Sequence, residues 1–329
     1  MNIDGLIKNI KTLGPDNEQF DCNNIALCAD ENYIPYVGIA IASIMKVSKE
    51  KLCFHIFSNN INENNIKKFH NIAEQEGQTI ILYEIDDSLF NKISLSKENS
   101  HVSSATFYRF IIPCILYKRV KRILYLDVDI CCLRDIDSIF KLELENNVVA
   151  VVEDISESRN CKRLHVKRYF NAGVILIDVE KWTETKIAEQ CFELAHRIKF
   201  SFLDQDILNI ILEDNALFVD RKFNSQYSLS KLIDEVDQPS NASIPEGAAI
   251  VHFIGASKPW HAWVQCCKVV KVYNKMKCDT DWKDLKPVKP NNYKMMHKAA
   301  RCAKKERDFM NMIYWYVKYG ISKIKFYMK

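Results

Sequence analysis

The sequence predicts an α/β fold with a mostly parallel central sheet. Three observations predict it. Short apolar runs alternate with helical stretches several times in succession, the pattern of βα units. An acidic pair, Asp127-Val128-Asp129, directly follows one of those runs. And 329 residues, 48% of them hydrophobic, are enough to bury a large core.

Taken in order, Asn24 to Cys28 reads as a strand ending at Ala29-Asp30, and Tyr36 to Met45, rich in Ile and Ala, as a buried helix. The alternation returns at Leu52 to Ser58 followed by Asn62 to Glu76. It returns again at Thr79 to Glu84, followed by a Ser-rich loop and Thr106 to Leu116. The strand Arg122 to Leu126 runs into Asp127, which puts the carboxylates at a strand's C-terminal end, the edge where open α/β sheets bind ligands. Further strands are expected at Val148 to Val152, Gly173 to Val179 and Ala249 to Phe253, with helices at Glu180 to Ile198 and Gln205 to Glu213. After Trp282 the texture changes. Lys286-Pro287-Val288-Lys289-Pro290 reads as a linker, and the chain beyond it is basic, aromatic and helical in pattern. The expected organisation is an N-terminal extension (1–23), an α/β domain (24–275) and a C-terminal extension (276–329). Eight glycines and no Gly-rich phosphate loop exclude a dinucleotide fingerprint.

The net charge of +4 is unevenly spread: Pro290 to Lys329 carries ten Lys or Arg against two acids, a local +8, which leaves −4 for the rest. Lysines among Tyr314, Trp315, Tyr316, Tyr319, Phe326 and Tyr327 suit a membrane interface with anionic lipid; the alternative is an ordinary helical hairpin packed on the core. No recognised module supports nucleic-acid binding. Twelve cysteines without a C-x-x-C pair read as reduced thiols. Met1 to Asp16 lacks a signal-peptide core and no apolar run approaches the ~20 residues of a membrane span, so a soluble or peripheral cytoplasmic protein is expected.

Asp127 and Asp129, two positions apart, would point to one face of a regular strand and offer two oxygens to a hard divalent metal. Alone, such a pair is equally an exposed loop. His252, at the end of another apolar run, is either a satisfied core residue or a nitrogen ligand, which would favour Mn over Mg. Gly255 would let backbone approach a phosphate and Lys258 would bring a point charge to it. Asp204 is either a helix N-cap or a sugar ligand, and Asp206 a favourable first-turn charge. Asn171 is a turn residue or a sugar-binding amide, and Arg109 a snorkelling arginine or a charged clamp.

Together and in order, Ala29-Asp30-Glu31-Asn32-Tyr33, Phe107-Tyr108-Arg109-Phe110, Leu124 to Asp129, Phe170-Asn171-Ala172-Gly173, Leu203-Asp204-Gln205-Asp206 and His252 to His261 resemble the retaining glycosyltransferases of family 8. Within that family they resemble the bacterial lipopolysaccharide core glucosyl- and galactosyltransferases. The resemblance spans Asn24 to Lys289. It implies a single Rossmann-like nucleotide-sugar-binding domain of GT-A type and a C-terminal helical basic extension. It assigns Asp30, Asn32 and Tyr33 to the uridine end, with Cys28 standing where a small residue is common. Asp127, Asp129 and His252 would hold Mn2+ or Mg2+, and Val128, Gly255 and Lys258 would meet the diphosphate. Arg109, Asp127, Asn171, Ala172, Asp204 and Gln205 would surround the sugar, with Gln205, Asp154 and Asp204 nearest the reacting carbon.

The implied reaction moves glucose or galactose from a UDP-sugar to the lipopolysaccharide outer core at the inner membrane's cytoplasmic face, with an α-1,3 linkage favoured by the segment Asp206 to Asp234. An amide at Gln205 is a poor nucleophile, which favours same-face attack over double displacement through Asp154 or Asp204. Rival readings are a transferase acting on a capsular, protein or glycogen-primer acceptor and a non-catalytic nucleotide-binding or membrane scaffold.

Overall fold

A computed structural model describes residues 4–15, 22–92, 104–197, 200–234 and 243–328. The strands are β1 (Ile7–Leu13), β2 (Asn23–Cys28), β3 (Leu52–Ser58), β4 (Thr79–Ile85), β5 (Arg122–Leu126), β6 (Ile130–Cys132), β7 (Val149–Glu153), β8 (Phe170–Asp178), β9 (Ala216–Phe218), β10 (Ser225–Gln226) and β11 (Ile250–His252). The helices are α1 (Ile34–Met45), α2 (Glu63–Glu76), α3 (Tyr108–Leu116), α4 (Asp137–Phe140), α5 (Glu157–Leu164), α6 (Val179–Glu184), α7 (Ile187–Arg197), α8 (Leu203–Ile211), α9 (Leu229–Asp234), α10 (Val270–Cys278), α11 (Tyr293–Lys305) and α12 (Phe309–Tyr327). Two compact units emerge, one of 1–224 with 248–250, the other of 225–247 with 251–329.

The first unit holds an eight-stranded sheet in the order β1-β4-β3-β2-β5-β8-β7-β9. Only β1 and β8 run against the other six, so the sheet is mostly parallel as expected. Its central strands are buried along nearly their whole length because helices cover both faces, and accordingly they read as continuous apolar runs. Helix α1 carries no charged residue and buries most of its surface, whereas α2 is amphipathic. An Asn62 side chain caps the start of α2 and Gly77, at φ 61°, supplies the left-handed residue that ends it.

Three local outcomes differ from the sequence expectation. The N-terminal stretch holds β1, an antiparallel edge strand on β4. The single helix expected over 180–198 is two, α6 and α7, broken where Lys186 adopts φ 56°; residue 198 lies outside the described residues. And β8 begins at Phe170, so Asn171 and Ala172 sit inside a strand, next to a register shift where Val151 pairs with Ile175 but Val152 with Asn171. Such a bulge re-aims side chains at a strand end.

In the second unit β10 and β11 pair in parallel, Ser225 with Val251 and Gln226 with His252. Trp263, Tyr273 and Trp282 are buried there, and α11 is tied to α9 by Lys298 to Ser230 (2.7 Å) and Arg301 to Asp234 (2.9 Å). Helix α12 packs along α11 through ring contacts such as Tyr293 with Phe326 and His297 with Tyr319, yet has no buried residue. All twelve cysteines are free thiols.

Candidate active site

Chain order places the site. From β2 the chain moves outward through β3 to β4, then returns to lay β5 on the other side of β2, so the succession reverses between β2 and β5. Ligands of open α/β sheets bind at the carboxyl ends of the strands flanking such a reversal. Here those ends deliver Asp30 after β2 and Asp127 after β5, while β7, running the same way, delivers Asp154, and the antiparallel β8 starts there with Asn171.

Asp127 and Asp129 do not lie in a regular strand. Strand β5 ends at Leu126 and the motif occupies the turn into β6, so a turn rather than strand periodicity sets their side chains. The Asp127 N–H donates to the Gly173 carbonyl at 2.8 Å, and its Oδ1 accepts from Arg109 Nη2 and Tyr125 Oη, both at 2.9 Å. Val128 and Asp129 are buried.

Arg109 does not snorkel. It is buried on α3, where Nε meets Asp204 Oδ2 at 3.0 Å, Nη1 donates to the Ala172 carbonyl at 2.7 Å and the guanidinium lies 4.6 Å from the Tyr125 ring centroid. Burial works against its charge, but the carboxylates of Asp127 and Asp204 outweigh that and hold its pKa well above the ordinary value. Asp204 is not the N-cap of α8, a position held by Phe202. Its second oxygen accepts from the Thr106 hydroxyl at 2.9 Å. Burial raises its pKa, with Arg109 opposing. Cys28 faces inward, Sγ 3.1 Å from Tyr125 Oη, and burial pushes its thiol up to about 12.

The sugar-side candidates form one hydrogen-bonded group. Gln205 Oε1 accepts from Asn171 Nδ2 (3.2 Å) and the Ala172 N–H (3.1 Å), and Gln205 Nε2 donates to Asp154 Oδ2 (3.4 Å) and Tyr169 Oη (3.1 Å). Asn171 Oδ1 accepts from the Gly173 N–H (3.1 Å) and Asn224 Nδ2 (2.9 Å). Beyond the end of β2, Asp30 Oδ1 accepts from the Asn32 N–H at 2.9 Å and its carbonyl from the Tyr33 N–H, an Asx turn that leads into α1. Tyr33 is half-buried beside Tyr36.

In the second unit His252 ends β11, buried, with its carbonyl accepting from the Tyr227 N–H at 2.8 Å. Gly255 has φ 83° with open space where a Cβ would stand, so backbone conformation rather than crowding calls for glycine. Lys258 Nζ donates to the Phe253 carbonyl (3.3 Å) and its N–H to His261 Nδ1 (3.0 Å). Burial, then the charges of Lys258 and Lys298, bring His261 down to about 4.

Several partners escape sequence reasoning. Tyr125 lies in an apolar run and reads as core, and Tyr169, between Arg168 and Phe170, falls ahead of the strand expected from Gly173. Asp206 lies in the first turn of α8 as expected, but it is fully buried and gripped by both terminal nitrogens of Arg163 at 2.7 and 2.8 Å. Its one signal in the sequence is the second acid of Asp204-Gln205-Asp206, which reads equally well as a first-turn charge.

Known proteins resemble this chain along most of its length. Residues 24–264 match the family Glycosyl transferase family 8 and residues 268–323 match Glycosyl transferase family 8 C-terminal. The lipopolysaccharide 1,3-galactosyltransferase of Salmonella typhimurium is 32% identical over 315 residues, 92% of this chain and 91% of that protein. The Escherichia coli lipopolysaccharide glucosyltransferase WaaO is 30% identical, with 92% of each chain covered, and an E. coli lipopolysaccharide 1,2-glucosyltransferase is 31% identical, with 81% of each covered. Among solved structures, galactosyltransferase LgtC in complex with donor and acceptor sugar analogs superposes with a TM-score of 0.67 at 22% identity, covering 78% of this chain and 96% of that one, which fixes the fold.

Proposed function

The chain belongs to glycosyl transferase family 8, and on that basis we propose that it is a metal-dependent, retaining hexosyltransferase. In this reading it moves glucose or galactose from a UDP-sugar to a hydroxyl of the lipopolysaccharide outer core. The observation that carries the metal-dependent reading is the donor set itself, Asp127 and Asp129 in the turn after β5 and His252 at the end of β11, ligand types for a hard divalent ion at strand ends. Two carboxylates and an imidazole fit Mn2+ or Mg2+, the nitrogen favouring Mn. When bound, the metal neutralises charge on the departing diphosphate.

The chain's own residues then have distinct tasks. Asp30, Asn32 and Tyr33 hold the uridine end, with Cys28 lining the wall. Gly255 and Lys258 meet the diphosphate alongside Val128. Arg109 holds Asp127 and Asp204 in fixed orientation, and Asp154, Asn171, Ala172, Asp204 and Gln205 surround the hexose. Gln205 lacks the carboxylate a covalent intermediate requires, and its amide already bonds to four neighbours, so positioning is its task. The acceptor hydroxyl attacks from the face the UDP leaves, and the leaving phosphate oxygen takes its proton, which retains the α configuration. The likeness to a 1,3-galactosyltransferase and the Asp206 to Asp234 segment support an α-1,3 linkage.

Helix α12 supports the location. It exposes Phe309, Met310, Ile313, Val317, Ile324, Phe326 and Tyr327 beside Lys318, Lys323 and Lys325, a surface suited to anionic headgroups. Among the described residues no helix is long and apolar enough to cross a membrane. The extension 276–329 would therefore dock the enzyme peripherally on the cytoplasmic face of the inner membrane, beside its lipid-linked acceptor.

The test is a donor screen, UDP-glucose against UDP-galactose, on truncated lipopolysaccharide acceptors of defined length with Mn2+ or Mg2+. Transfer to one acceptor is expected. Transfer to none of them sinks the acceptor assignment, and absence of UDP-sugar hydrolysis as well sinks the enzyme reading.

A further inference from the structure

A side-chain amide has two faces that differ only in which end donates, so a glutamine in a sugar pocket needs something to fix its flip. Around Gln205 that something is identifiable. Tyr169, fully buried on the approach to β8, has one phenolic proton and meets Asp206 Oδ1 at 2.6 Å and Gln205 Nε2 at 3.1 Å, with Arg163, which can only donate, also beside it. Asp206 is fully buried, paired with Arg163 through both guanidinium termini, and accepts a third bond from the Phe202 N–H at 3.0 Å. A carboxylate so held can only accept, so the Tyr169 proton goes to Asp206 and the phenolic oxygen is left with lone pairs alone for Gln205.

We propose that Tyr169, oriented by the Asp206–Arg163 pair, is a positioning residue that fixes the amide of Gln205 with Nε2 toward the phenol and Oε1 toward Asn171 and Ala172. The Ala172 N–H reads the same orientation from the opposite side, since it can only donate and therefore faces Oε1. Burial and the neighbouring Asp206 raise the Tyr169 pKa, which keeps the phenol protonated through the working range. The consequence for turnover rests on the proposed transfer reaction; the fixed flip does not.

Tyr169→Phe removes the acceptor without changing the packing ring. In the full-length protein, kcat for UDP-hexose turnover is expected to fall about tenfold or more while the donor KM stays within about twofold, because an amide held only by its bonds to Asn171, Ala172 and Asp154 is looser and misplaces groups at the reacting carbon more than at the nucleotide. In a Gln205→Ala background the same Tyr169→Phe change is expected to cost less than about twofold, since the residue it acts through is gone. Equal losses in both backgrounds overturn the proposal. An arm independent of activity reads the Gln205 side-chain amide by 1H–15N NMR, assigned by its loss in Gln205→Ala. Tyr169→Phe should shift one of the two amide protons upfield and speed its exchange about tenfold or more, while thermal unfolding stays cooperative. If wild type fails to turn over UDP-hexose but the amide responds, the reaction assignment falls and the positioning stands. An amide pair unchanged by Tyr169→Phe removes the positioning role whatever the activity.

Discussion

Replacing Arg109 with methionine tests the electrostatic arrangement on which the site stands. The guanidinium is 8% exposed and lies 2.9 Å from Asp127 and 3.0 Å from Asp204. At an effective dielectric of about 20, each contact is a gross attraction of roughly 5 kcal/mol, much of it offset by the desolvation of three charged groups. Methionine fills similar volume but leaves two carboxylates facing each other, one of them 12% exposed. Removing one partner of a buried ion pair costs about 3 to 5 kcal/mol, and that is the expected loss at pH 7.5. The sign of its pH dependence follows from Asp204, whose folded pKa already stands above the ordinary carboxylate value through burial and rises further without Arg109. A carboxyl with a raised folded pKa destabilises when ionised and is relieved as pH falls through that raised value toward about 4. The difference between wild type and Arg109→Met should therefore shrink between pH 7.5 and pH 5. Urea unfolding followed by tryptophan fluorescence reads it, helped by Trp182, whose indole donates to the Phe110 carbonyl beside the substituted position. A loss below about 1 kcal/mol, or one that grows on acidification, would overturn this electrostatic assignment.

Asp129→Ala removes one of the three proposed ligands, and Mn2+-dependent UDP-hexose hydrolysis is expected to fall about a hundredfold or more with calorimetric Mn2+ binding lost together. Chelation of wild type should abolish turnover, and added Mn2+ should restore it. Buried His55, bonded to Tyr83 and Asn24 at 3.0 Å each, is held down to about 3 from 6.5, chiefly by burial. Its unfolded state binds a proton that its folded state refuses, so stability drops as pH falls below about 6.5, by roughly 2 kcal/mol between pH 7 and pH 5; His55→Gln should flatten that slope in urea titrations, and an unchanged slope contradicts it. Exchanging Lys318, Lys323 and Lys325 for glutamate should weaken sedimentation with phosphatidylserine-containing vesicles about a hundredfold or more, at ~1 kcal/mol per lysine, and leave hydrolysis of UDP-sugar in solution intact.

The parts of this molecule legible in its sequence are those encoded over short distances. Strands β2, β3 and β5 are apolar runs because both sheet faces are covered, and the acids that come after β2 and β5 mark the ligand edge without further information. Strand β1 escapes because an edge strand with mostly exposed side chains, Ile7–Leu13, needs no apolar run. The break at Lys186 escapes because α6 and α7 each keep helical periodicity up to it. In the site, Asp127, Asp129 and His252 announce themselves by chemical type. The coupling of Arg109 to Asp204, and of Tyr169 to Gln205 and Asp206, joins residues dozens of positions apart. Nothing local distinguishes that tyrosine from core, or that arginine from one that snorkels.

Metal-dependent transfer with retention has a single decisive readout: time-resolved 1H NMR of the new anomeric proton as the protein acts on a UDP-hexose and a truncated lipopolysaccharide acceptor with Mn2+. An α-configured product is expected at first formation, dependent on metal and absent with Asp129→Ala. A β-configured initial product, or undiminished transfer in the presence of chelator, would show that the metal site and the same-face route have been wrongly assigned.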